Sequence, residues 1–281
     1  MVGMHAVAPP PKDPLADPAV WNAVAAEYDK IWFERLPALI HQVIELLAPE
    51  RGDRVLDVAS GPGTVAVRLA PRVGHVMAVD FAEGMLGRLR GHIMRGRLPN
   101  LEGRLMEAEQ LGFEDASFDA AVSLFGVSAF DPRVGALSEM SRVVVPGGRI
   151  VLGSWAGVER DSLIGAGLSA LAEIVPEAAR FVRASEDPEL LENQLDVAGF
   201  EQVASSSFEY PLSLPSVDQY WQSFEQTSPE QVLLKRELGT EAYEQAAARA
   251  RAALRATYGE GAFELSCRAV LTYGERPLSA A

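Results

Sequence analysis

The chain has 281 residues, 48% of them hydrophobic, which is enough for one large domain or for one domain with a cap. A net charge of −14 argues against a nucleic-acid backbone or an anionic membrane surface as partner. One cysteine, Cys267, leaves no internal disulfide and no thiolate metal cluster, and no apolar run or signal-peptide core points to membrane insertion or export, so a cytoplasmic protein is expected.

Residues 1–18 carry Pro9, Pro10, Pro11, Pro14 and Pro18 with few large apolar side chains, the composition of a flexible arm. From Ala19 the pattern turns helical, with Val24, Tyr28 and Ile31 four and three apart. Pro37 interrupts it, and Ile40, Val43, Ile44 and Leu47 form a second stripe. Both helices precede the first strand and are expected over its end. There Tyr28 and Asp29 either reach a ligand or serve as a core tyrosine and a surface carboxylate.

Val55, Leu56 and Val58 then read as a short strand buried on both faces, with Asp57 where strand gives way to turn. Gly61 and Gly63 allow a sharp turn and close approach to a ligand, and helical spacing begins near Thr64. Strand, glycine turn and helix start together make a nucleotide-type site at the carboxyl edge of a sheet. Residues 75–79 form the next strand, ending at Asp80, about twenty residues beyond the turn, where a carboxylate meets ribose hydroxyls. A helix carrying Met85, Leu86, Leu89 and Ile93 follows, then a strand over 101–106 ending in Glu107-Ala108-Glu109. A strand over 118–123, a helix with Val134, Leu137, Met140 and Val144, a stop at Pro146-Gly147-Gly148 and a strand over 149–152 complete the series. Strands alternating with helices predict an α/β fold on a parallel sheet.

The second half gives a helix over 163–174, another over 190–198 closed by Gly199, and two strands over 200–210 and 263–273. Cys267 falls in the alternation of the last strand and reads as a small core residue. Between those strands Val217, Tyr220, Trp221 and Phe224 share one helical face, and a second helix carries Tyr243, Ala247, Ala250, Leu254 and Tyr258. The expected organisation is an arm over 1–18, a main domain of 19–210 with 261–281, and a helical insert over 211–260 that caps a site.

In order and spacing, Val-Leu-Asp-Val-Ala-Ser-Gly-Pro-Gly (55–63), Ala-Val-Asp-Phe (78–81), Glu-Ala-Glu-Gln-Leu-Gly-Phe (107–113), Ser-Phe-Asp (117–119) and Arg-Val-Val-Val-Pro-Gly-Gly (142–148) resemble the class I S-adenosylmethionine-dependent methyltransferases. The resemblance is nearest to the small-molecule branch with ubiquinone and menaquinone methyltransferases, and covers about residues 20–155. It implies a Rossmann-like, mostly parallel sheet with an antiparallel edge strand, plus a helical cap. It also implies S-adenosylmethionine as cofactor, S-adenosylhomocysteine as product, and a small, partly apolar acceptor.

Residue by residue, Asp57 and the turn Ala59, Gly61 and Gly63 would hold the methionine part of that cofactor, with Tyr28 near. Asp80 would accept the ribose hydroxyls, Phe81 and Met85 would flank the adenine, and Glu107, Ala108 or Glu109 would meet its edge. Ser123 and Leu124 would contact the methionine moiety through backbone groups. Where the family usually has its first glycine this chain has Ala59, and where it often has Asp this chain has Glu107. Phe130, Trp155, Tyr220, Trp221 and Phe224 are the candidates for the acceptor pocket. No metal site and no catalytic base is assigned from the four histidines.

Gly61 to Ala66 also fits a dinucleotide fingerprint, but Asp57 would then lie where a pyrophosphate sits. Two further readings keep the fold: a cyclisation or rearrangement that uses the cofactor's charge, and a non-catalytic cofactor-binding protein.

Overall fold

The computed structural model describes residues 13–156, 159–182 and 188–278. Within them, seven segments pair into one sheet: β1 (Arg54–Val58), β2 (His75–Asp80), β3 (Leu101–Leu105), β4 (Phe118–Leu124), β5 (Val144–Trp155), β6 (Glu201–Leu214) and β7 (Phe263–Glu275). Their order across the sheet is β3-β2-β1-β4-β5-β7-β6. β1 pairs parallel with β2 and β4, and β2–β3 and β4–β5 are parallel too, while β7 runs antiparallel to both β5 and β6.

The central strands are apolar on both faces because helices cover both. Val55, Val76, Ala78, Ala120, Val122 and Val151 belong to one core. Their neighbours Leu56, Val58, Met77, Val79, Ala121 and Ile150 belong to the other. Period-two alternation thus sorts one run of hydrophobics into two cores.

The helices are α1 (Pro18–Arg35), α2 (Pro37–Leu47), α3 (Ala66–Leu69), α4 (Glu83–Gly96), α5 (Arg133–Val143), α6 (Gly165–Ala172), α7 (Pro188–Val197), α8 (Val217–Thr227), α9 (Pro229–Leu238) and α10 (Thr240–Tyr258). Asp17 caps α1 by accepting from the Ala19 N–H, and Pro18 occupies the first turn, where its missing N–H costs nothing. Pro37 starts α2 in the same way, so the two helices meet at Leu36.

Several boundaries differ from the sequence expectation. Of the stretch 1–18 expected as an arm, residues 1–12 lie outside the described residues, and Pro14–Ala16 form a 3-10 turn. Leu15 in that turn is buried, and its carbonyl accepts from the Trp21 indole N–H at 2.8 Å. α3 is only four residues long, because Pro71 follows it. β5 runs through Pro146-Gly147-Gly148 rather than starting after them, with Gly147 at φ +80. β6 continues to Leu214, which shortens the insert, and the insert holds a third helix, α9.

Candidate active site

The chain leaves β1 toward β2 on one side and returns through β4 on the other, so the crevice beyond β1 and β4 lies where the strand order reverses. Such a point is where open α/β sheets bind ligands. The turn after β1 builds the floor of this crevice. Ser60 N–H donates to the Val79 carbonyl and Gly63 N–H to the Ser60 carbonyl, both at 2.9 Å. Gly61 N–H donates to one carboxylate oxygen of Asp80 and Ala82 N–H to the other, both at 2.8 Å. Asp80 therefore ties the glycine turn to the end of β2, and its carboxylate borders the crevice.

Three residues of the turn have left-handed backbone: Ala59 at φ +52, Gly61 at +56 and Gly63 at +85. A Cβ on Gly61 would meet nothing within 4 Å, since that side of the turn opens into the crevice. A Cβ on Gly63 would come within 2.3 Å of Leu89 Cδ1, so this glycine serves the packing of α4. Ala59 keeps a side chain in a conformation that costs about 1–2 kcal/mol for an L-residue. Opposite it stands Gly126, where a Cβ would lie 2.4 Å from the Ala59 Cβ. The methyl missing at one position makes room for the methyl present at the other.

Asp57 is fully buried, and one oxygen accepts from the Ala66 N–H at 3.0 Å. Burial pushes its carboxyl up to about 8, with the Asp80 carboxylate adding to the rise and the Ala66 N–H opposing it. Burial likewise raises Asp80, to about 6. Such a pair awaits positive charge. From the Asp57 end, the groove runs past Ser60, Thr64 and Leu124, then Gly61, Phe81 and Met85, to Glu107, Ala108 and Glu109. The buried Ser60 hydroxyl lines it and, among the described residues, has no hydrogen-bond partner.

Beside the groove lies a second cleft, with about 770 Å3 of empty space, open solvent at its mouth included. α1 forms one wall with Trp21, Tyr28, Ile31, Trp32 and Arg35. The helical insert forms another with Tyr220, Phe224, Thr227, Ser228 and Glu230. Phe125 stacks on Trp155 at 3.8 Å between ring centres and 2° between planes, and Trp32 leans on Trp155 at 5.3 Å. The Tyr220 hydroxyl accepts from the Gly167 N–H and donates to the Leu163 carbonyl, which pins α8 to the start of α6. Trp21, Tyr28 and Phe125 line both the cleft and the groove. Burial raises the Tyr28 phenol, helped by Asp80 and Glu230, so it stays neutral.

A model of the methyltransferase domain matches residues 55–148. The chain is 44% identical over 110 residues to a demethylmenaquinone methyltransferase of Clavibacter sepedonicus, covering 38% of this chain and 42% of that protein. It is 31% identical over 207 residues to the ubiquinone/menaquinone biosynthesis C-methyltransferase UbiE of Azotobacter vinelandii, covering 66% of this chain and 81% of that protein. The chain belongs to the class I S-adenosylmethionine-dependent methyltransferases. It spans only about half the length of several curated relatives it matches, 42% to 60%. Among solved structures, a putative methyltransferase from Bacillus halodurans C-125 superposes with a TM-score of 0.59 at 22% identity, over 85% of this chain and 99% of that one. That likeness speaks for the fold.

The methyltransferase groove gathers most of the residues read from the motifs: Tyr28, Asp57, Ala59, Gly61, Asp80, Phe81, Met85, Glu107, Ala108, Glu109 and Leu124 all line it. The acids, the open side of Gly61 and the unpartnered Ser60 hydroxyl suit a cofactor with a cationic amino-acid end and a ribose. Gly63 and Ser123 stand behind this lining, and both support it through packing.

Two acceptor-side expectations need correction. Phe130 lines the Glu107 end of the groove instead, because the chain after β4 turns back toward Glu109, whose carboxylate accepts from the Asp131 N–H at 2.7 Å. Trp221 is buried in the core and does not line the cleft, while Tyr220 and Phe224 from the same helix do. Leu15, Arg35, Phe125 and Glu230 were not legible as site residues. Only the face Trp21, Tyr28, Ile31, Trp32 and Arg35, at spacings of seven, three, one and three, carried a signal that could have found the α1 wall. Among the described residues no group of His, Cys, Asp and Glu could hold a metal ion, and no helix is long and apolar enough to cross a membrane.

Proposed function

We propose that the protein transfers a methyl group from S-adenosylmethionine to a small, largely apolar molecule held in the cleft between α1 and the helical insert. What carries this reading is the shared wall: Trp21, Tyr28 and Phe125 border both spaces, so a ligand in one meets a ligand in the other there. UbiE of Azotobacter vinelandii is named for C-methylation in ubiquinone and menaquinone biosynthesis, and a quinone-like acceptor agrees with the flat aromatic lining here.

In this reading Asp57, with the turn around Gly61, faces the cofactor's amino group. Asp80 accepts the ribose hydroxyls through its carboxylate. Phe81 and Met85 flank the adenine, and Glu107, Ala108 and Glu109 border its edge. When bound, the cofactor supplies a methyl group already activated by its sulfonium. The protein's task is then to hold the acceptor in line and keep water out, which the rings of Tyr28, Trp32, Phe125 and Trp155 do by filling the space around the junction. Among the described residues Glu230 is the one carboxylate lining the cleft, and its oxygen already accepts from the Ser228 hydroxyl at 2.5 Å. No base is assigned. The insert serves as the cap of the acceptor site.

Incubation of the protein with S-adenosylmethionine and a panel of phenols and quinols, read as S-adenosylhomocysteine by mass spectrometry, tests the proposal. Turnover should appear with at least one planar apolar acceptor and fall in Phe224→Ala. Cofactor binding with no turnover on any acceptor that occupies the cleft would overturn it.

A further inference from the structure

Among the described residues, the acceptor cleft is apolar apart from hydroxyls, indole N–H groups and two charged side chains, Arg35 and Glu230. Glu230 is engaged by Ser228. Arg35 is not: half-buried as the last residue of α1, its guanidinium has no hydrogen-bond or ion-pair partner among the described residues. Two other half-buried arginines find acceptors close by. Arg68 donates to the Phe33 and Thr64 carbonyls, and Arg142 to Glu139 and the Leu111 and Phe113 carbonyls. Burial also pulls the Arg35 pKa below its ordinary value, the mark of a cation short of compensation. Its backbone is pinned, since the Tyr210 hydroxyl donates to the Arg35 carbonyl at 2.9 Å. A cation in the last turn of a helix is favoured by the helix dipole, but that interaction is equally available from solvent and gives no reason to line an apolar cleft.

We propose that Arg35 anchors a carboxylate on the acceptor, so that the cleft selects planar aromatic acids over their neutral counterparts. The inference rests on the reading of this cleft as the acceptor site. A guanidinium presents two parallel N–H donors to a carboxylate, and the surrounding low dielectric strengthens that bond. α1 also acts as a ruler. Tyr28, at the junction with the cofactor groove, precedes Arg35 by two helical turns, about 10 Å along the axis. That span accommodates a body of two fused rings, with the methyl-accepting atom at one end and the acid at the other, sandwiched beside Trp32, Phe125 and Trp155.

The probes are 6-hydroxy-2-naphthoate and the neutral 6-hydroxy-2-naphthamide, titrated by calorimetry into the full-length protein saturated with S-adenosylhomocysteine. The acid is expected to bind at least about tenfold tighter than the amide. Arg35→Gln should abolish this preference with the amide affinity unchanged, and Arg35→Lys should restore part of it. S-adenosylhomocysteine affinity and melting temperature serve as the folding control for both variants. Equal affinity for acid and amide in the wild type, or a preference that survives in Arg35→Gln, would overturn the anchor. Phe224→Ala separates the two levels of the argument. If it weakens both probes while the wild type binds acid and amide equally, or Arg35→Gln keeps the preference for the acid, only the anchor fails. If it weakens neither, or if neither probe binds at all, the cleft is not the site of such ligands and the acceptor reading fails with the anchor.

Discussion

Asp57 is the residue whose environment makes the sharpest demand. Its carboxyl is pushed up to about 8, against about 3.9 in an unfolded chain. An acid held above its unfolded value binds its proton more tightly when folded, so its contribution to stability is fully present below about pH 4 and is lost as pH rises through about 8. In the proposed binding mode the cofactor's amino group faces the ionised form. Binding should therefore release a proton below about pH 8, and affinity should rise between roughly pH 6 and 8. Calorimetry in buffers of different ionisation enthalpy measures this directly, and a flat pH profile that Asp57→Asn does not alter would remove Asp57 from the site. Asp80→Asn keeps the shape of the side chain but not its charge. It should weaken cofactor binding by about 1.5–3 kcal/mol with the fold retained. Unchanged affinity would mean that Asp80 only ties Gly61 and Ala82 in place. Both acids were legible in the sequence because a strand end and a glycine turn fix their distance locally. Arg35 and Leu15 were not: each reaches the cleft only through the packing of α1 and its preceding turn against a segment two hundred residues away.

Among the elements, the turn after β1 and the bend after β4 form one interlocking unit. Gly126→Ala drives a methyl into Ala59 and should cost about 1–3 kcal/mol together with most cofactor affinity. Adding Ala59→Gly removes the opposing methyl and should recover much of both losses; melting curves and titrations of the double variant that match the single one would show the contact to be slack. Helix α8 shows where spacing stops informing. Val217, Tyr220, Trp221 and Phe224 make a single stripe in sequence, yet the stripe is wide enough to face two environments. Trp221→Ala should cost about 3–5 kcal/mol of stability as a core truncation, with little specific effect on ligands. Phe224→Ala should instead raise the acceptor's KM, and equal effects of the two on stability would erase the distinction. α9 escaped sequence reading because Val232, Leu233 and Leu234 are consecutive, a run with no helical period.

At the scale of the whole molecule, an insert between two neighbouring strands closes a cleft whose opposite wall comes from the start of the chain. The Arg236–Asp17 ion pair at 3.3 Å joins these two distant pieces. Hydrogen exchange over 217–258 should slow on adding an acceptor and change far less with cofactor alone; the reverse pattern would make the insert part of the cofactor site. α1 itself is pinned along its length. Gly84 N–H donates to Asn22, His92 meets Asp29 at 2.7 Å, Arg68 donates to the Phe33 carbonyl and Tyr210 to the Arg35 carbonyl. This clamped helix borders the groove and the cleft alike, which has a kinetic consequence. If an acceptor seated in the cleft covers the groove along this shared wall, the two substrates should add in compulsory order, cofactor first, with the spent cofactor departing last. S-adenosylhomocysteine should then inhibit competitively against S-adenosylmethionine and non-competitively against the acceptor. If that final departure is slow, a rapid-quench experiment will record a burst of methylated product equal to the enzyme present, followed by a slower steady rate.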